Sequence, residues 1–151
     1  MIDIQTISIA VASASVFAAA IYYMFRIRHE AKVRQTDLVM KLYSQFNSLE
    51  FQKMWHEVLN REARDWQDYN DKYGLVEFTA VGIFFEGIGI LLKRNLINIE
   101  LIDDMFTTDV KWTWERIKDL TLEYRKVRNQ PEIFEWFEYL YNEMQKRQQR
   151  C

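Results

Sequence analysis

The sequence contains one cysteine, one proline and four glycines in 151 residues. The cysteine is Cys151, the last residue, so an intramolecular disulfide and a cysteine-based zinc site are both excluded. So few prolines and glycines leave a strand-and-turn architecture without its turn-formers, and favour long helices joined by short connections. Charge of one sign is not in excess either. Twenty basic and 22 acidic side chains give a net charge of −2, which lacks the basic footprint of a nucleic-acid-binding protein. Nucleic acid is therefore not expected as a partner.

Catalytic signatures are missing as well. A carboxylate-bridged metal centre in a helical bundle uses Glu-x-x-His pairs, but Arg26 and Lys53 stand three residues before His29 and His56. His56 and Glu57 begin a zinc-protease pattern, yet Asn60 occupies the place of its second histidine. No serine sits in a Gly-x-Ser-x-Gly elbow, and "GIFFEGIG" lacks the strand-to-helix glycine turn of a phosphate loop. No catalytic residue, metal or cofactor is expected.

What the chain does have is apolar substance: 49% hydrophobic and 15% aromatic residues, too much for a disordered segment. From Ile4 to Phe25 no residue carries a charge, about the length that crosses a hydrocarbon core of roughly 30 Å. A cleaved signal peptide would place positive charge before this run. Here Asp3 precedes it, and Arg26, Arg28, Lys32 and Arg34 follow. The same asymmetry predicts a single-pass protein of the cell membrane with its N-terminus outside and its C-terminal domain cytoplasmic. The basic cluster then rests against anionic lipid head groups, and Tyr22 and Tyr23 fall at the inner interface. Ala10, Ala14 and Ala18, with Ser15 and Ala19, recur every four residues, a spacing that lets two membrane helices approach closely.

The body continues this helix without a linker, since residues 26–46 lack Gly and Pro. The expected organisation is an anchor over 1–25, a juxtamembrane helix over 26–46 and a helical bundle over 47–147. Within the bundle, "NSLE" at Asn47–Glu50 caps a helix, and "REARDWQDYNDKYG" is a short polar helix or loop that stops at Gly74. A strongly apolar helix follows over Leu75–Arg94. "NLINIELIDDMF" is expected to connect to a short acidic helix, a longer helix to run from about Thr108 to "NQP", and a final one to carry Pro131 in its first turn. The aromatic residues fall at helical spacing beside aliphatic ones, the pattern of a core rather than of a base-stacking surface. The fold class is thus all-α: one transmembrane helix continuing into a small antiparallel bundle of about five helices.

Glu86 stands out. It is the only charge between Glu77 and Lys93, and an unpaired buried carboxylate would cost several kcal/mol or take up a proton. Gly82, Glu86, Gly89 and Lys93 share one helical face, where the glycines let another helix pack close. Arg125 and Arg128 are the expected partners, in a structural clamp or a ligand clamp.

The segments "FFEGIGILLKRNLINIELI", "WTWERI" and "YRKVRNQPEIFEWFEYL" resemble an uncharacterised prokaryotic family known as a domain of unknown function. The resemblance covers most of residues 4–145. It implies a membrane-anchored, cytosolic helical architecture and brings no activity to transfer. The functional expectation is a scaffold, accessory subunit or regulatory interaction module, with the bilayer and a protein partner or a homo-oligomer joined through the transmembrane and juxtamembrane helices. The alternative is a membrane-tethered small-ligand sensor or enzyme with its site around Glu86 and Arg125 or Arg128.

Overall fold

The computed structural model describes residues 3–149, which places Cys151 outside the described residues. Six helices and no strand are found among them: α1 (Ile4–Phe46), α2 (Leu49–Asn60), α3 (Trp66–Tyr73), α4 (Val76–Lys93), α5 (Ile99–Arg128) and α6 (Glu135–Gln148). The all-α expectation holds, with five helices after the long apolar one. The chain divides into two compact units between Asp37 and Leu38.

In the first unit, the N-terminal part of α1 is long and apolar enough to cross a membrane. Its side chains are exposed throughout. Two serines within the run satisfy themselves on the helix: the Ser13 and Ser15 hydroxyls donate to the carbonyls of Ile9 and Val11, each at 2.8 Å.

The second unit holds the core, and the C-terminal stretch of α1 belongs to it through buried Val39 and Phe46. Phe46 lies within 6.0 Å, centroid to centroid, of Phe51, Trp55, Phe84, Phe85 and Phe106. Each such pair contributes about 0.5–1.5 kcal/mol beyond its buried area, so this ring ties α1, α2, α4 and α5 together. Farther along α4, Phe85 stacks on Phe137 of α6 at 4.7 Å. Trp66 of α3 stacks on Tyr124 of α5 at 4.2 Å. The buried indole of Trp55 has a polar partner across the core: its Nε1 donates to Thr113 Oγ1 at 2.8 Å.

Short polar side chains cap the helix starts. Ser48, rather than Asn47, caps α2 by accepting from the Phe51 amide. Asp65 caps α3 and Asn98 caps α5. Asn95 and Asn129 adopt left-handed backbones (φ 55° and 52°) just after α4 and α5, a place more often taken by glycine. Gly74, with φ 73°, separates α3 from α4, whose axes differ by 113°.

Two boundaries differ from the sequence expectation. No break occurs near Thr108, because α5 runs as one helix from Ile99. Its buried stripe of Ile102, Phe106, Val110, Trp114, Ile117 and Thr121 passes through the expected boundary without interruption. The last helix begins at Glu135 instead of at Pro131: residues 131–134 form turns, and Phe134 takes a left-handed φ of 57°. That turn directs the Phe134 ring onto Gly82 of α4.

Candidate functional site

Glu86 lies half-buried on α4, on the face that receives α6. A Cβ at Gly82 would overlap the Phe134 ring, and one at Gly89 would overlap the Trp136 carbonyl oxygen. The two glycines therefore let the start of α6 lie directly on α4, with Glu86 between them. Its Oε2 accepts the Phe137 backbone amide at 2.7 Å. The amides at the start of a helix have no partners within the helix, and a carboxylate placed there satisfies one of them and faces the positive end of the helix dipole.

The expected partners, Arg125 and Arg128, form no hydrogen bond or ion pair with Glu86, although the charge of Arg125 still acts on it. Arg125 is directed elsewhere: its Nε donates to the Ile133 carbonyl at 2.8 Å and its Nη1 to Glu138 Oε2 at 2.7 Å. From the last turn of α5 it thus holds the 131–134 turn and the first turns of α6, while its Nη2 is buried without a hydrogen-bond partner among the described residues. Arg128 is exposed and lies 5.8 Å from the Tyr124 ring centre. Spacing along one helix could identify Glu86 as needing a partner but could not reveal that a backbone amide, freed by the late start of α6, would be that partner.

Burial pushes the Glu86 carboxyl above its ordinary pKa. The amides of Phe137 and Trp136 pull it back down, Glu135 pushes it up and Arg125 pulls it down, with burial prevailing. Lys93 completes this face, its ammonium 5.1 Å from the Tyr139 ring centre and 6.0 Å from that of Trp136. The arrangement is a joint that fixes α6 on α4, and its acceptor oxygen is already occupied by protein.

A second polar region joins the α2–α3 connection to α5 in a cleft of about 450 Å³, lined by residues that include Arg61, Tyr69, Arg116, Asp119 and Glu123. Arg116 donates to the Leu59 carbonyl at 2.7 Å and to the Arg61 carbonyl at 3.2 Å, closing the end of α2. The Arg61 guanidinium meets the Tyr69 hydroxyl at 3.3 Å and Glu77 at 3.5 Å. Burial works against the Arg61 charge, but Tyr69 and Glu77 outweigh it and raise its pKa. Glu123 Oε2 accepts the Trp66 amide at 2.6 Å, so α3 is also tied to α5. The Arg116 and Glu123 bonds join residues 55 to 57 positions apart, and no local pattern in a charged segment signals them.

Of the remaining expected residues, Arg26, Arg28, Lys32 and Arg34 are all exposed on α1, and Arg26 Nε bonds Glu30 at 2.9 Å. His56 lies beside the Trp55 ring, with centroids 4.9 Å apart. Among the described residues, no group of three or more His, Cys, Asp or Glu side chains is placed to hold a metal ion.

The family described as "Domain of unknown function (DUF4760)" matches residues 9–144. The match spans nearly the whole chain, and the chain belongs to that family. No curated protein and no solved structure matches it significantly.

Proposed function

We propose that this DUF4760 protein is a single-span membrane protein of prokaryotic type whose helical body acts as a cytoplasmic interaction module, either a scaffold or an accessory subunit. One observation carries the reading. The charge-free half of α1 presents large apolar side chains with nothing on them: Ile4 is 79% exposed, Phe17 72% and Ile9 67%. A stripe of this size in water favours aggregation, whereas a bilayer covers it on every side. The internally bonded Ser13 and Ser15 hydroxyls support the same medium, since hydrocarbon offers them no other partner. Charge gives the orientation, with Arg26, Arg28, Lys32 and Arg34 held on the cytoplasmic side and against anionic lipid.

Alkaline carbonate extraction of membranes, combined with labelling of the single cysteine by an impermeant maleimide, tests this. The chain should stay in the membrane pellet, and Cys151 should react only after the membrane is permeabilised. Release by carbonate refutes the span, and labelling of intact cells refutes the orientation.

The ligand-sensor reading is favoured by one observation, the cleft at Arg61 and Arg116, whose volume lies within the range of small-molecule sites. It moves that reading away from Glu86, whose surroundings are filled by Phe134 and Trp136. A small-molecule library read by thermal shift of the full chain tests it. A hit whose shift disappears in Arg116→Ala, while that variant keeps its own folding transition, supports a site there.

A further inference from the structure

The cleft between the α2–α3 connection and α5 combines an apolar floor with charged walls. Val58 and Ile117 on the floor are buried and Leu120 half-buried, while the walls carry three arginines and four carboxylates. The arginines are spent on the protein. Arg61 meets Tyr69 and Glu77, and Arg64 meets Asp68 at 3.6 Å. Arg116 gives its Nε and Nη2 hydrogens to the Leu59 and Arg61 carbonyls. Those carbonyls close the C-terminus of α2, the negative end of its dipole, so the chain itself seats a cation at this place.

The carboxylates are not spent in the same way. Glu62 and Asp119 have carboxylates with neither a hydrogen bond nor an ion pair among the described residues. Asp65 and Glu123 each commit one oxygen to an amide at the start of α3 and keep the other. Glu77 and Asp68 offset the charges of Arg61 and Arg64, which leaves the four carboxylates of the cleft facing the single charge of Arg116. We infer that the cleft binds a linear aliphatic polyamine. Its ammonium groups lie between the carboxylates of α5 and those of the α2–α3 connection, as charge-assisted hydrogen-bond donors, and its methylenes cover Val58, Ile117 and Leu120. A bare metal ion would leave that floor uncovered, and an anion would meet carboxylates and arginines already engaged. The inference rests on the reading of this cleft as a ligand site and names the chemical class of its ligand.

Isothermal titration of spermidine into the full chain, in a non-ionic detergent and at about 0.15 M salt to screen diffuse surface attraction, tests it. Spermidine should bind saturably, and butylamine, with one ammonium, several-fold more weakly. Asp119→Asn and Glu62→Gln remove carboxylates that the fold does not bond, so both variants should keep the wild-type melting temperature and bind spermidine about tenfold more weakly. Asp104→Asn, an exposed carboxylate about four turns earlier in α5, should leave binding unchanged. Absence of saturable binding, or equal weakening by all three substitutions, would overturn the inference. Binding of succinate in place of spermidine, lost in Arg116→Ala, would refute the polyamine while leaving the cleft a ligand site.

Discussion

Replacing Glu86 tests the joint between α4 and α6 most directly. Glu86→Ala removes the acceptor at 2.7 Å from the Phe137 amide, and Phe137 is 0% exposed, so water cannot reach that N–H in the folded body. An orphaned buried donor costs about 1–3 kcal/mol. Glu86→Gln differs in kind. It keeps an oxygen of the same reach and relieves the burial that raises the carboxyl pKa, so its cost should stay below about 1 kcal/mol. Denaturant unfolding of the full chain in mild detergent should therefore rank wild type and Gln together, with Ala well below. The pH dependence has a definite sign. A carboxyl whose folded pKa is raised stabilises the fold when protonated, and that contribution is lost as pH rises through the folded pKa. Wild type should accordingly lose stability relative to Glu86→Gln as pH rises from below the ordinary glutamate range to above it. Equal stability of Ala and Gln, or a wild type that gains on Gln with rising pH, would refute the role assigned to Glu86.

Close packing on α4 and the Trp55–Thr113 bond give further outcomes. Gly89→Ala must displace the Trp136 backbone and should lower stability by about 1–3 kcal/mol, whereas Gly87→Ala should raise it by about 0.5–1 kcal/mol, both read by thermal melting. Thr113→Val strands the buried Trp55 indole N–H and should cost about 1–3 kcal/mol, while Thr113→Ser should recover most of it in the same unfolding measurement.

The parts of this fold that could be read from sequence are those set by periodicity. The charge-free run of α1, the apolar α4 and the aromatic core repeat at helical spacing, and each formed as such. The failures have a common cause. The segment from Asn98 to Phe106 looks like a connector by its acidic composition, but the capping by Asn98 and the unbroken buried stripe beyond it made it the start of α5. Pro131 suits a first helical turn, yet the fit of Phe134 against Gly82 delayed α6 to Glu135. Glu86 was recognisable as a carboxylate in need of a partner. The partner itself, a main-chain amide, has no letter in the sequence. The Arg116 bonds of the cleft are illegible for the same reason, because they end on the carbonyls of Leu59 and Arg61.

The docking of α6 also sets an order of events in time. Helix α4 exposes Gly82, Glu86 and Gly89 from the moment it emerges during synthesis, but the residues that cover them, Phe134 to Phe137, are made only after the whole of α5. Until then the α4 surface that receives α6 is open, while the long apolar α1 has already emerged. The helical body therefore completes itself only after α1 to α5 have all been made, and a chain cut short before Phe134 is left with the apolar groove of α4 uncovered, a species prone to aggregate.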